Sequence, residues 1–238
     1  MQRIFISDLH LEDPAAPAFL RFKECLALEA TRNDEIYILG DLVEMWIGDD
    51  DDSQLASELY AVLAATTANC PVLLLHGNRD FLFADEFATA TGVTLLSDPH
   101  LTAEGILLSH GDQYCTDDQE YQAMRTLFRS EAWQQDILGK SLDERKALGQ
   151  MLRAQSRNSN ANKATNIMDV NADAVHTSCR EHETRLLIHG HTHRPGTHRA
   201  DNHERWVLGA WERVGWLARQ QEQQLQLEAF SLARRYGT

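Results

Sequence analysis

Five short apolar runs punctuate the chain, and each gives way at once to polar residues: RIFIS (3–7), EIYILG (35–40), PVLLLHG (71–77), GILLSHG (105–111) and RLLIHG (185–190). Runs this short and this rich in Ile and Leu predict buried strands of about 4–6 residues. Helical periodicity over 15–31 and 53–68 separates the early runs, so the alternation predicts a layered α/β fold. Every polar cluster falls at the C-terminal end of its predicted strand, where open α/β sheets gather their ligands.

Residues 115–170 break this rhythm. Leu127, Phe128, Trp133, Ile137, Leu138, Leu148, Met151 and Leu152 recur at helical spacing, which predicts helices interrupted near Gly139–Ser141 and after Gln155. The domain reading is a core of 1–114 and 171–238 with a helical insertion at 115–170. After residue 193, RWVLGAW (205–211) and QLQLEAF (224–230) read as closing strands.

Composition narrows the function. With 238 residues, 43% hydrophobic and 24% charged, the chain can build one substantial core. A net charge of −14 argues against nucleic-acid binding. The insertion departs from that balance: residues 125–163 carry eight Lys/Arg against four Asp/Glu, a net of +4. Cys25, Cys70, Cys115 and Cys179 are scattered without a CxxC pair, which predicts reduced thiols. MQRIFISDLH lacks the apolar stretch of a signal peptide, and no run reaches the ~18–20 apolar residues of a spanning helix.

The chemistry lies in the polar strand ends. In order, SDLH supplies Asp8 and His10, LGDLVE supplies Asp41, and HGNRD supplies Asn78, Arg79 and Asp80. SHGD then supplies His110 and Asp112, and GHTH supplies His191 and His193. One aspartate after a strand is more often a helix cap; five such clusters in series ask for a common purpose. Oxygen and imidazole donors without thiolate suit divalent ions in open, higher-coordinate sites. The seven donors Asp8, His10, Asp41, Asn78, His110, His191 and His193 exceed the needs of one catalytic ion and suit two that share a carboxylate. His189 is expected to pack or hydrogen-bond behind the site, Asp80 and Asp112 to orient its members, and Asp49 to Asp52 to form a solvated loop.

The series D-x-H, G-D, G-N-R-D, H-G-D and G-H-T-H resembles the calcineurin-like metallophosphoesterases. The resemblance implies a two-sheet β-sandwich flanked by helices, here with an inserted helical cap. It also implies a dinuclear centre: Asp8, His10, Asp41 and His193 on one metal, Asp41, Asn78, His110 and His191 on the other, with Asp41 bridging. GDLVEMWIGDDD (40–51), HGNRDFL (76–82), HGDQYCTDDQEYQ (110–122), IMDVN (167–171) and IHGHTHRP (188–195) resemble one branch of that family more closely. That branch uses Mn²⁺ to hydrolyse the pyrophosphate of UDP-2,3-diacylglucosamine, giving UMP and 2,3-diacylglucosamine 1-phosphate for lipid A biosynthesis. Its head-group contacts map to Asn78, Arg79, Asp118, Ser156, Asn160, Lys163 and His191. Arg79 and His191 are implied to stabilise phosphoryl charge, with water as the nucleophile. The same resemblance implies two Mn²⁺ per chain and a cytoplasmic protein attached peripherally to the anionic inner-membrane surface through its basic helices; it implies no protein partner. The alternative is a soluble metallophosphoesterase acting on a nucleotide or phosphoprotein.

Overall fold

A computed structural model of the chain describes residues 1–162, 167 and 169–237, with 157–162 described for their backbone alone. Two sheets form the centre. The first contains β1 (Gln2–Ile6), β2 (Glu35–Leu39), β3 (Val72–Leu75), β4 (Thr94–Leu96), β10 (Val214–Gln221) and β11 (Gln224–Ser231), in the order β11-β10-β1-β2-β3-β4. The second contains β5 (His100–Leu101), β6 (Ile106–Ser109), β7 (Leu186–His189), β8 (Gly196–Arg199) and β9 (Glu204–Val207), in the order β5-β6-β7-β9-β8. β1 to β4 pair in parallel, as do β6, β7 and β9, while the remaining pairs are antiparallel.

Side-chain alternation explains why the strand sequences are apolar throughout. Phe5, Tyr37, Leu39 and Leu75 of the first sheet meet Ile106, Leu108 and Ile188 of the second, forming the sandwich interior. Their neighbours Ile4, Ile6, Ile36, Ile38 and Leu74 face the other way, onto Phe19, Phe22 and Leu26 of α1 (Pro17–Glu29) and Leu59 and Leu63 of α2 (Gln54–Thr67). On the far side of the second sheet, Leu107 and Leu187 pack on Val175 and Cys179 of α7 (Ala172–Glu181). Most of these side chains are fully buried, each contributing about 1.5–3 kcal/mol relative to an exposed position. The four cysteines are buried free thiols.

The helical segment between β6 and α7 comprises α4 (Gln119–Phe128), α5 (Glu131–Leu138) and α6 (Leu142–Asn162); α3 (Asp85–Thr91) lies earlier, beside α2. The break near Gly139–Ser141 is present, but no break follows Gln155: α6 continues to Asn162. A break not expected from spacing falls at Arg129–Ser130, where the Ser130 hydroxyl accepts from Trp133 N and caps α5. RWVLGAW is strand only as far as Val207; Trp211 turns away to donate its backbone N–H to Asp8 O (3.0 Å) and its indole N–H to Trp216 O (2.9 Å). β8 and β10 had no apolar run to announce them. No helix among the described residues is long and apolar enough to cross a membrane.

Candidate metal centre

The loops after β1, β2, β3, β6 and β7 converge at one edge of the sandwich. Their backbone is unusual there. Asp8, His10, Asp41, His191 and His193 all have positive φ, between 48° and 66°, a region that costs a non-glycine residue about 1–2 kcal/mol. Cross-loop hydrogen bonds hold it: Asp8 N to Gly40 O (3.1 Å), His10 N to Asp41 O (3.1 Å) and Leu11 N to Leu42 O (3.0 Å). His191 N donates to Asp8 Oδ2 at 2.9 Å. Gly77 and Gly190 permit the closest approaches, since a Cβ on either would overlap Asp41 or Asp8 respectively.

The seven expected donors come together in two groups around Asp41. On one side, His10 Nε2 lies 3.2 Å from His193 Nε2 and 3.9 Å from Asp41 Oδ2, and His193 Nε2 lies 3.4 Å from Asp8 Oδ1. On the other, His110 Nε2 lies 3.7 Å from Asp41 Oδ1 and 3.0 Å from Asn78 Oδ1, which is 2.9 Å from His191 Nδ1. Two atoms each about 2.1 Å from one ion lie about 3–4 Å apart, so these separations fit donors that share a divalent cation. Asp41 offers one carboxylate oxygen to each group. Asp8 is also close enough to both groups to contribute to either.

The charge balance points the same way. Asp8, Asp41, Asp80 and Asp112 are all buried, and buried carboxylates call for cationic partners. Burial opposes charging His110, yet the Asp41, Asp8 and Asp112 carboxylates outweigh it and push that imidazole up to about 9. Burial, with His110 beside it, pushes His191 down to about 4. Burial and the Asp41 charge push Asp80 up to about 6. The donor set therefore fits a divalent metal centre, with oxygen and nitrogen ligands and excess negative charge.

Surrounding groups fix the donors. His110 Nδ1 donates to Leu39 O (2.9 Å), leaving Nε2 for the centre. Asp80 accepts from Leu42 N and Gly77 N, each at 2.7 Å, and ties the Asp41 loop to the Asn78 loop. Asp112 accepts from Tyr121 Oη and Arg125 Nε, each at 2.8 Å. His189 is fully buried behind the site, donating from Nδ1 to Gly190 O at 2.8 Å, with Nε2 3.1 Å from an Arg205 nitrogen. Burial, reinforced by Arg205, pushes it down to about 3, so it is neutral.

A cleft partly open to solvent runs from Asn78 and Arg79 between α4–α6 and the core. Its walls include Trp46, Phe81, Phe128, Trp133, Leu148 and Leu152. Phe81 stacks on Phe128 (6.3 Å between centroids), which packs on Trp133 (4.7 Å). Ser156 lines the same cleft. Asp118 caps α4, accepting from Tyr121 N at 3.1 Å. Asn160, as a side chain, and Lys163 lie outside the described residues.

Some participants had no signal in the sequence. Glu44 Oε2 lies 2.7 Å from His10 Nδ1. The Tyr121 ring sits 5.6 Å from that of His191. The run Asp49–Asp52 is not a simple solvated loop: Asp49 accepts from Trp46 Nε1, Ala84 N and Phe87 N at the start of α3. Asp50 pairs with Arg145 of α6, and Asp52 with Lys146.

Similarity to known proteins extends over most of the chain. Residues 1–195 match the family described as calcineurin-like phosphoesterase. UDP-2,3-diacylglucosamine hydrolase of Escherichia coli O157:H7 (strain EC4115 / EHEC) is 44% identical over 226 residues, covering 90% of this chain and 93% of that protein. The hydrolase of the same name from Salmonella paratyphi B is 42% identical over 243 residues, covering 98% of this chain and 100% of that protein. A solved archaeal phosphodiesterase shares the fold, with a TM-score of 0.53 at 10% identity, over 97% of this chain and 100% of that one.

Proposed function

Since the chain belongs to the calcineurin-like phosphoesterase family, we propose that it hydrolyses the pyrophosphate bond of UDP-2,3-diacylglucosamine, giving UMP and 2,3-diacylglucosamine 1-phosphate. The observation that carries the reading is the Asp41 carboxylate, which turns one oxygen to each of two donor groups at the mouth of an apolar cleft. The activity named for the two relatives supplies the substrate. Two Mn²⁺ are the cofactors: Asp8, His10, Asp41 and His193 hold one, Asp41, Asn78, His110 and His191 the other. When bound, such ions polarise phosphoryl oxygens and acidify a water to near neutral pH.

The protein's own groups do the rest. Ser7 and Ser109 are fully buried, with Ser7 Oγ donating to Asp8 Oδ2 (2.8 Å) and Ser109 Oγ accepting from Gly111 N (3.0 Å). The attacking oxygen is assigned to solvent, with α-phosphorus as its target. The Arg79 backbone N–H is committed to Asp41 Oδ1 (2.8 Å), while its buried Nε has no hydrogen-bond partner among the described residues. That guanidinium is the natural fork for a phosphoryl group, with His191 beside it. Helices α4 to α6 act as a cap whose aromatic cleft takes the acyl chains and keeps water from the leaving group. Asp118, Ser156, Asn160 and Lys163 complete the head-group contacts.

The cap also meets the cytoplasmic face of the inner membrane. Its stretch 125–163 is basic, and Leu127, Leu138 and Met151 are exposed on its helices at 54%, 42% and 58%, a combination suited to anionic lipid. Hydrolysis in H₂¹⁸O with Mn²⁺ tests the reaction. Label is expected in UMP; label in the acylated sugar phosphate, or equal turnover of a UDP-sugar without acyl chains, contradicts the proposal.

A further inference from the structure

One ion-pair chain connects the cap to the metal centre. His10 presents Nε2 to Asp41 and His193, while its other nitrogen, Nδ1, lies 2.7 Å from Glu44 Oε2, a charge contact outside hydrogen-bond alignment. The second oxygen of Glu44 is gripped by Arg153 of α6, whose other Nη lies 3.0 Å from Glu12 Oε1. Glu44 and Arg153 are mostly buried, with side-chain exposures of 11% and 18%. Neither charge can be withdrawn without leaving the other poorly solvated.

Arg153 also borders the apolar cleft. Eight residues earlier, two turns down the same face of α6, Arg145 grips Asp50 and donates to Ile47 O at 2.7 Å. The helix that walls the cleft is thus fastened to the 44–52 loop at two levels, and the upper fastening is the carboxylate behind His10.

We propose that Glu44 is a positioning residue for His10 and that Arg153 makes its position depend on the seating of α6, so that cap closure and metal retention at the His10 site are linked. The inference rests on the reading of His10 as a ligand. A carboxylate behind a ligating imidazole fixes the ring's tautomer and direction, and losing one typically costs 10–100-fold in metal affinity. With Arg153 seated, Glu44 is held against Nδ1; with α6 lifted, Glu44 is free to leave the ring. Linkage is reciprocal, so metal at the His10 site also holds α6 down.

The test is Mn²⁺ binding to the full chain by calorimetry, with hydrogen exchange across 142–156 as a second readout. The expected result for wild type is two Mn²⁺ sites. Glu44→Gln weakens one site by about 10–100-fold and leaves the other within about twofold. Arg153→Ala weakens the same site by at least about fivefold, and Arg153→Lys, which keeps the charge, recovers part of the loss. Mn²⁺ slows exchange in α6 of wild type but not of Arg153→Ala. Wild-type affinity at both sites in Glu44→Gln overturns the positioning role. A loss in Glu44→Gln with none in Arg153→Ala, or Mn²⁺-slowed exchange that survives in Arg153→Ala, overturns the linkage alone. A wild-type chain that binds no Mn²⁺ overturns the reading of His10 itself.

Discussion

Asp41→Asn probes the centre most directly, because the substitution changes charge while nearly preserving shape. Asp41 Oδ1 accepts from Arg79 N at 2.8 Å. An asparagine keeps that bond by placing its carbonyl oxygen there, still 3.7 Å from His110 Nε2. Its NH₂ must then point to the His10 side, where Oδ2 stood 3.9 Å from His10 Nε2. An amide NH₂ cannot ligate, so the His10 site loses a donor outright and the His110 site loses only charge. A unit charge 4 Å from another at an effective dielectric of ~20 is worth about 4 kcal/mol. Applied as a lower bound beside a divalent ion, that is about 10³-fold in affinity. The expected outcome is Mn²⁺ stoichiometry falling from two to one at micromolar metal, and turnover falling about 10³-fold or more. Calorimetry and an assay of UMP formation read the two. Retention of more than about a tenth of the wild-type rate, or two ions bound with unchanged affinity, would refute the shared-carboxylate argument.

Gly77→Ala forces a Cβ into Asp41 Oδ1 and the Asp41 backbone N, so a destabilisation of about 1–3 kcal/mol and weakened Mn²⁺ binding are expected; unchanged Tm and metal affinity would count against the close approach. Phe128→Ala removes the middle ring of the Phe81–Phe128–Trp133 group and is expected to lower kcat/KM for the diacylated substrate about 10-fold, with little change for a UDP-sugar lacking acyl chains. Arg145→Ala strips the buried guanidinium from Ile47 O and Asp50, costing about 1–3 kcal/mol and lowering Tm by roughly 2–10 °C. The hydrogen bonds from Arg145 hold the Asp50 carboxyl below its usual range. This contribution is therefore present above the unfolded carboxylate value of about 3.9 and lost as pH falls through the lower folded value. The Tm difference between wild type and Arg145→Ala should be constant near neutrality and narrow below about pH 4; a gap that widens on acidification contradicts the assignment.

What could be read in advance follows from locality. An apolar run ending in Gly-Asp or Gly-His carries its strand and its donor in adjacent letters, and β1, β2, β3, β6 and β7 with their seven donors were legible for that reason. β10 was not, because VGWLARQQ mixes buried Leu217 and Ala218 with polar Arg219, Gln220 and Gln221. Glu44 sits three residues past Asp41 like any loop acid, and only the folded chain brings His10 and Arg153 to it. The Asp49–Asp52 run looked solvated because its partners, at Ala84, Phe87, Arg145 and Lys146, lie about 35 to 95 positions away. Composition could not reveal those contacts.

The left-handed turns at Asp8, His10, Asp41, His191 and His193 bear on portability. Grafting the seven donor side chains onto the strand ends of some other scaffold would not recreate the centre, because ordinary extended or helical backbone would aim them elsewhere. The chain's bends would have to be transplanted with them, together with the cross-loop amide bonds that keep those bends from relaxing.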